Sequence, residues 1–327
     1  MELSQPKMET ALATQRNESS RFDRLMAVTV ISLLAVGMVL ARLVHLSTLD
    51  QLRALAHLSV GSFGLWVLIA AYCYCRWRGM EMAKLGDISQ LAVWALLVIP
   101  AIAFLIPAAG RSPYPLVDNA LAGLDARMHF QTVTVVHLFS HLPLLRRTLA
   151  IVYGLLPILI LGSLLVPTIC GRVIDSRRYI FAVIIAAVVT ATLFAFWPAA
   201  GPWTVEGFAP TRAQAAVTDN LSLLKSSKPL PAEVGGAVVA FPSFHVVLAV
   251  LSIIAMWKVR WARWPALALG TLICVSTITT GWHYLIDLIG GLAVTYVAQR
   301  IANLVLESAP SPLASGLTSD EAETVPV

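Results

Sequence analysis

Eight apolar runs dominate the chain, near residues 25–47, 54–75, 87–107, 148–170, 178–198, 241–258, 262–280 and 283–305. Each approaches the ~20 residues that an α-helix needs to cross the hydrocarbon core of a bilayer. In that solvent every backbone polar group must be satisfied within the protein, which leaves a chain of this pattern one architecture. The spacing predicts an all-α, polytopic transmembrane helical bundle of about eight spans. Only 13% of the residues are charged, which excludes an ordinary soluble balance. The net charge of +5 forms no stripe for a nucleic acid, because the basic residues sit between the runs.

Composition divides the chain further. Residues 1–24 are polar and mixed in charge, and are expected to be a disordered cytosolic tail. The first run lacks a small-residue cleavage site, so it reads as a span and not as a leader. Residues 25–107 then form N-terminal transmembrane helices, and residues 108–305 a core that carries the motifs. Residues 306–327 turn to Ser, Pro and acids and are expected to be a second disordered cytosolic tail. Cys73, Cys75, Cys170 and Cys274 have no metal-cage spacing and read as buried small apolar residues.

Lys and Arg set the orientation. Lys7, Arg16, Arg21 and Arg24 precede the first run, Arg76, Arg78 and Lys84 follow the second, Arg172, Arg177 and Arg178 the fourth, and Lys258, Arg260 and Arg263 the sixth. With eight spans all fall on one side, which the positive-inside rule makes the cytosol; Arg146 and Arg147 are the exception. The expectation is a multi-pass protein of the cytoplasmic (inner) membrane with both termini cytosolic. The sixth and eighth runs then both start on the non-cytosolic side, and each starts with a histidine: His245 in FPSFHVVLAV and His283 in GWHYLIDL. The two imidazoles are predicted to meet.

His283 and Asp287 are four residues apart, on one face of a helix. A carboxylate bonded to one ring nitrogen leaves the other with a lone pair for a nucleophile or general base. A charge at membrane depth costs roughly 2.5–3.5 kcal/mol on insertion scales, so it is retained for function or paired; the plainer alternative is a structural pair capping a helix. Pro242 and Ser243 suit a helix start with free backbone donors, and His245, one turn in, can give a proton to a leaving oxygen. Upstream, residues 108–129 suit a short interfacial helix with Val117, Leu121, Leu124 and Met128 on its apolar face, and with Asp118 and Asp125 facing water. His137 and His141 are read as packing residues. Glu206 is a minor candidate proton acceptor.

Taken together, Pro242-Ser243-Phe244-His245 and Ser276-Thr277 followed by His283 and Asp287 resemble the type 2 phosphatidic acid phosphatase (PAP2) superfamily, whose segments read P-S-G-H and S-R-x5-H-x3-D. The resemblance implies that His283 attacks phosphorus to form a phosphohistidine, Asp287 orients it, and His245 protonates the leaving group, with no metal and no other cofactor. Thr277 stands where that pattern has an arginine, and the earlier K-x6-R-P segment has no clear match. Trp197-Pro198, Gly201-Pro202-Trp203, Phe241 through His245, and His283-Tyr284 with Asp287-Leu288 look like the branch containing inositol phosphorylceramide synthases.

That branch implies an inositolphosphotransferase-like enzyme of lipid metabolism. It would act on a membrane lipid phosphate at the outer face, with a lipid or sugar alcohol as acceptor and no nucleic acid partner. A lipid phosphate or isoprenoid diphosphate phosphatase of the same superfamily is the alternative, and a non-catalytic transporter the third reading. Phosphate must be held by positioned donors and cations. The candidates are Ser243, the first amides of the sixth and eighth spans, and one of Arg212, Lys225 or Lys228.

Overall fold

The computed structural model describes residues 5–46, 60–78, 82–226 and 239–307, and among these the chain is helical with no strand. The helices are α1 (Gln5–Leu43), α2 (Val60–Arg78), α3 (Ala83–Gly110), α4 (Asp118–Arg127), α5 (Thr132–Ser140) and α6 (Pro143–Tyr153). They continue with α7 (Leu156–Ile169), α8 (Val173–Phe196), α9 (Arg212–Lys225), α10 (Phe244–Met256), α11 (Arg263–Thr279) and α12 (Leu285–Glu307).

Every predicted apolar run carries a helix, but length and apolarity alone mark fewer crossings than eight. Among the described residues four helices suffice by themselves: α1 from Asn17, α3, α8 and α12. The run expected as the fourth span is broken into α6 and α7, bent by 42°, and counts as a fifth crossing only if the pair is one span. Pro157 sits in the first turn of α7, where its missing N–H costs no helical bond. At 13 and 17 residues, α10 and α11 are short for a bilayer.

α8 is the axis of the bundle, packing against α3, α7, α10 and α12, while α1 and α2 lean on α3. Helices in lipid gain little from hydrophobicity toward one another, so close contact and polar pairing must hold them. The inner face of α12 is accordingly small: Gly291, Val294, Thr295, Ala298 and Ala302 are buried. A Cβ on Gly291 would lie 2.8 Å from the Ser243 carbonyl oxygen. Only glycine lets the start of α12 lie so near the start of α10.

The expected N-terminal tail is corrected. α1 begins at Gln5, and Ser19 and Phe22 are buried. Arg177 on α8 ties this helix to the bundle: its buried guanidinium donates to Ser19 Oγ (2.8 Å), Gln90 Oε1 (2.8 Å) and Asp87 Oδ1 (3.1 Å). Asp23 completes the network by accepting from Gln90 Nε2 and Trp94 Nε1, both at 2.8 Å, and from the Tyr72 hydroxyl. A buried guanidinium needs such acceptors; Ser19 on α1 and Gln90 and Asp87 on α3 provide them. Residues 308–327 of the expected second tail lie outside the described residues. Of the cysteines only Cys75 is buried; Cys73 and Cys170 are exposed.

Ion pairs join helix ends on one side of the bundle. Asp175 at the start of α8 meets Arg172 (2.7 Å) and Lys258 beyond α10 (3.6 Å), and Arg178 reaches Glu307 at the end of α12 (3.0 Å). His245 and His283 lie at the opposite ends of α10 and α12.

Candidate active site

The starts of α10 and α12 are joined through backbone. The Ser243 amide donates to the Asp287 carbonyl (3.0 Å), and the amides of Trp282 and His283 both donate to the Thr277 carbonyl (2.9 and 3.2 Å). Thr277, where the resembled pattern has arginine, is a fully buried residue that shapes the turn behind His283.

His283 is 3% exposed and Asp287 not at all. The imidazole Nδ1 lies 3.2 Å from Asp287 Oδ2, which also accepts the Tyr284 amide at 3.0 Å. Asp287 Oδ1 has no hydrogen-bond partner among the described residues. The His245 ring stands 6.2 Å from that of His283, centroid to centroid. Its Nδ1 is 3.3 Å from the Tyr153 hydroxyl, and the Tyr153 ring stacks on it at 4.3 Å. Each histidine is therefore engaged through Nδ1, His283 by a carboxylate and His245 by a phenol.

Both histidines line a cavity of about 520 Å³, within the usual range for a small-molecule site. Its walls are mostly apolar: Ile102 and Ile106 from α3, Ala187 and Ala191 from α8, Val217 from α9 and Leu248 from α10. Trp203, Trp282 and Tyr153 close it near the histidines.

The remaining candidates are placed differently. Ser243 is fully buried, and its hydroxyl has no partner among the described residues. Arg212 is exposed in the first turn of α9 and does not line the cavity. Lys225 donates to the carbonyls of Ser112 (2.7 Å) and Tyr114 (2.8 Å) and to Ser112 Oγ (3.2 Å), which ties the end of α9 to the segment after α3. Partial burial pulls its ammonium below the usual lysine value. Lys228 lies outside the described residues. Glu206 accepts the Val133 amide at 2.6 Å and so caps α5; burial pushes its carboxyl up, the Val133 amide opposing. His137 and His141 are exposed, which corrects their reading as packing residues.

Two acids expected to face water are buried instead. Asp118 accepts the amides of Ala200 (3.0 Å) and Gly201 (2.8 Å) and the Tyr284 hydroxyl (3.1 Å). Gly201 has φ +139°, and a Cβ there would meet the Trp203 ring at 2.3 Å, so the Gly-Pro-Trp turn admits only glycine. Asp125 accepts the amides of Leu285 (2.7 Å) and Ile286 (2.9 Å), the first two of α12. Burial raises the Asp125 carboxyl, and these two amides oppose the rise. The first amides of the eighth apolar run, expected to hold phosphate, are thus already occupied.

The inner face of α4 is Asp118, Leu121 and Asp125, while Leu124 and Met128 are 40% exposed. Their spacing of three and four residues was a readable signal. Acids on an interfacial helix ordinarily face water, and the amides that draw these two inward lie far along the chain. Tyr153 and Trp282 gave no motif at all. Gln214, buried on α9, donates to the carbonyls of Thr280 (3.2 Å) and Gly281 (3.0 Å) and fastens that helix to the histidine turn. Its capping box with Thr211 is legible in sequence as T-x-x-Q.

No curated protein and no solved structure matches the chain. A profile of the PAP2 superfamily matches residues 119–301. The matched segment runs from α4 into α12 and leaves out α1, α2 and α3. Because that match covers more than half of the sequence and takes in both histidine-bearing helix starts, the chain belongs to the PAP2 superfamily.

Proposed function

We propose that the protein is a membrane-embedded lipid phosphotransferase of the inositol-phosphorylceramide-synthase type, working through a phosphohistidine. Membership of the PAP2 superfamily supports phosphatase or phosphotransferase chemistry on lipid phosphates in general. The observation that carries the reading is the pairing of His283 Nδ1 with a buried carboxylate at 3.2 Å, with a second imidazole 6.2 Å away across one apolar cavity.

With Nδ1 held by Asp287, Nε2 of His283 is the nitrogen left to attack phosphorus. The P–O bond to the leaving group breaks, and the leaving oxygen takes a proton from His245. An acceptor hydroxyl then gives its proton to His245 and attacks the phosphohistidine, which returns the P–N electron pair to His283. Asp287 favours the cationic character that His283 acquires while phosphorylated. Ser243, whose buried hydroxyl has no partner among the described residues, is the candidate to hold a phosphate oxygen. By the positive-inside rule the end that carries Arg172, Arg178 and Lys258 faces the cytosol and the histidines face the other side.

The test is turnover of a labelled phosphoinositol lipid and of a diacylglycerol phosphate by the purified full chain in detergent, in chelator, with and without ceramide or diacylglycerol. Turnover that resists chelation and is lost in His283→Ala and His245→Ala supports the mechanism. A product bearing phosphate on the added alcohol selects transfer, and release of free phosphate selects hydrolysis. Full activity in either variant rules out the assignment.

A further inference from the structure

Tyr153 is the last residue of α6, where the apolar run bends by 42° into α7. The bend sets its ring against His245 at 4.3 Å and 20° from parallel. The same ring lies 5.9 Å from Trp282 and within 5° of parallel to it. Trp282 is the chain neighbour of His283, so one side chain touches both histidine-bearing segments. Trp203 packs edge-on against Trp282 at 5.7 Å and backs this aromatic wall.

The hydroxyl adds direction to the stack. It lies 3.3 Å from His245 Nδ1. An imidazole that first donates and then accepts a proton at one nitrogen needs its other nitrogen kept in a constant role, since a wrong tautomer aims a proton where a lone pair is required. A phenol oxygen can accept from Nδ1–H throughout the cycle.

We propose that Tyr153 is a positioning residue for His245: its hydroxyl oxygen accepts from Nδ1–H and so assigns proton transfer to Nε2. This role rests on the phosphohistidine reading of the site. In the first half-reaction the Nε2–H bond breaks as an O–H bond forms on the leaving oxygen, which keeps the electron pair of the cleaved P–O bond. In the second, the acceptor O–H breaks, its proton goes to Nε2, and the acceptor oxygen bonds phosphorus as the P–N bond opens. Nδ1–H stays on Tyr153 through both.

The experiment compares wild type with Tyr153→Phe, which keeps the stacked ring and loses only the hydroxyl. The purified full chain is given two phosphate esters of one lipid headgroup, one with an alkyl leaving group and one with a nitrophenyl leaving group that departs without a proton. The readout is kcat/KM, which reports the steps up to the phosphoenzyme. General acid catalysis contributes about 10²–10⁴-fold, so weakened positioning is expected to lower the alkyl value by roughly 10- to 100-fold. The nitrophenyl value is expected to stay within about threefold, since that ester needs no acid. Equal loss on both esters means a packing role and overturns the proposal, as does an unchanged alkyl value. A wild-type protein inert toward both esters overturns the phosphohistidine reading itself, a result distinct from either.

Discussion

Asp125 holds the Leu285 amide at 2.7 Å across 160 residues of sequence. The helix that begins with Leu285 is the one that carries Asp287, and its first amides are closed off by a side chain from a different helix. His283 lies two residues before that capped end. An acid at the α12 N-terminus also complements the helix dipole.

Asp125→Ala is expected to cost about 1–3 kcal/mol, the penalty for leaving buried donors unsatisfied. It should loosen the turn that positions His283, so turnover falls along with thermal stability in detergent. Asp125→Asn keeps an acceptor and should lie between the two. An alanine variant that melts and turns over like wild type would show that the cap is dispensable.

Asp287→Asn keeps the shape of the His283 contact and removes its charge. By analogy with carboxylate–histidine pairs elsewhere, kcat should fall about 10²–10⁴-fold while thermal unfolding changes little. A loss below about threefold, outside that range, would leave Asp287 a structural cap only.

Glu206 carries a pH signature. Its folded pKa is raised above the ordinary 4.5, chiefly by burial. Linkage then makes its contribution to stability fully present below 4.5 and lost as pH rises through the folded value. The difference in melting temperature between wild type and Glu206→Gln should therefore shift against wild type as pH rises above 4.5. A difference that is constant, or that moves toward wild type, contradicts the assignment.

Arg177→Met tests how the N-terminal helices are attached. Removing one partner from a buried charged network costs about 3–5 kcal/mol, and the loss should fall on α1 and α3, which the guanidinium joins to α8. Limited proteolysis is expected to cut α1 first. Turnover per folded molecule should hold, because the network lies at the end of the bundle away from the histidines.

Lys225 discriminates between two roles. Its ammonium is spent on Ser112 and Tyr114, so Lys225→Met should reduce kcat/KM by less than about tenfold, the worth of roughly one hydrogen bond. A loss of 10³-fold or more, the scale of a cation on a transferring phosphoryl group, would return Lys225 to the phosphate.

The residue pattern alone determined the helical class, the approximate helix positions and the two histidine segments, because these depend on local quantities. Apolar run length fixes what must be helical in lipid, and a spacing of four residues brings His283 and Asp287 to one face. Tertiary structure decided what depends on distant partners. Asp118 and Asp125 turned inward because backbone amides some 80 and 160 residues away needed acceptors. The N-terminal helix is fastened to the bundle through Ser19 and Asp23, which meet partners on other helices, Lys225 turned to a neighbouring loop, and Tyr153 reached His245 through a bend between two helices. A buried polar group is placed by whatever satisfies it, and in this bundle those partners lie on other helices.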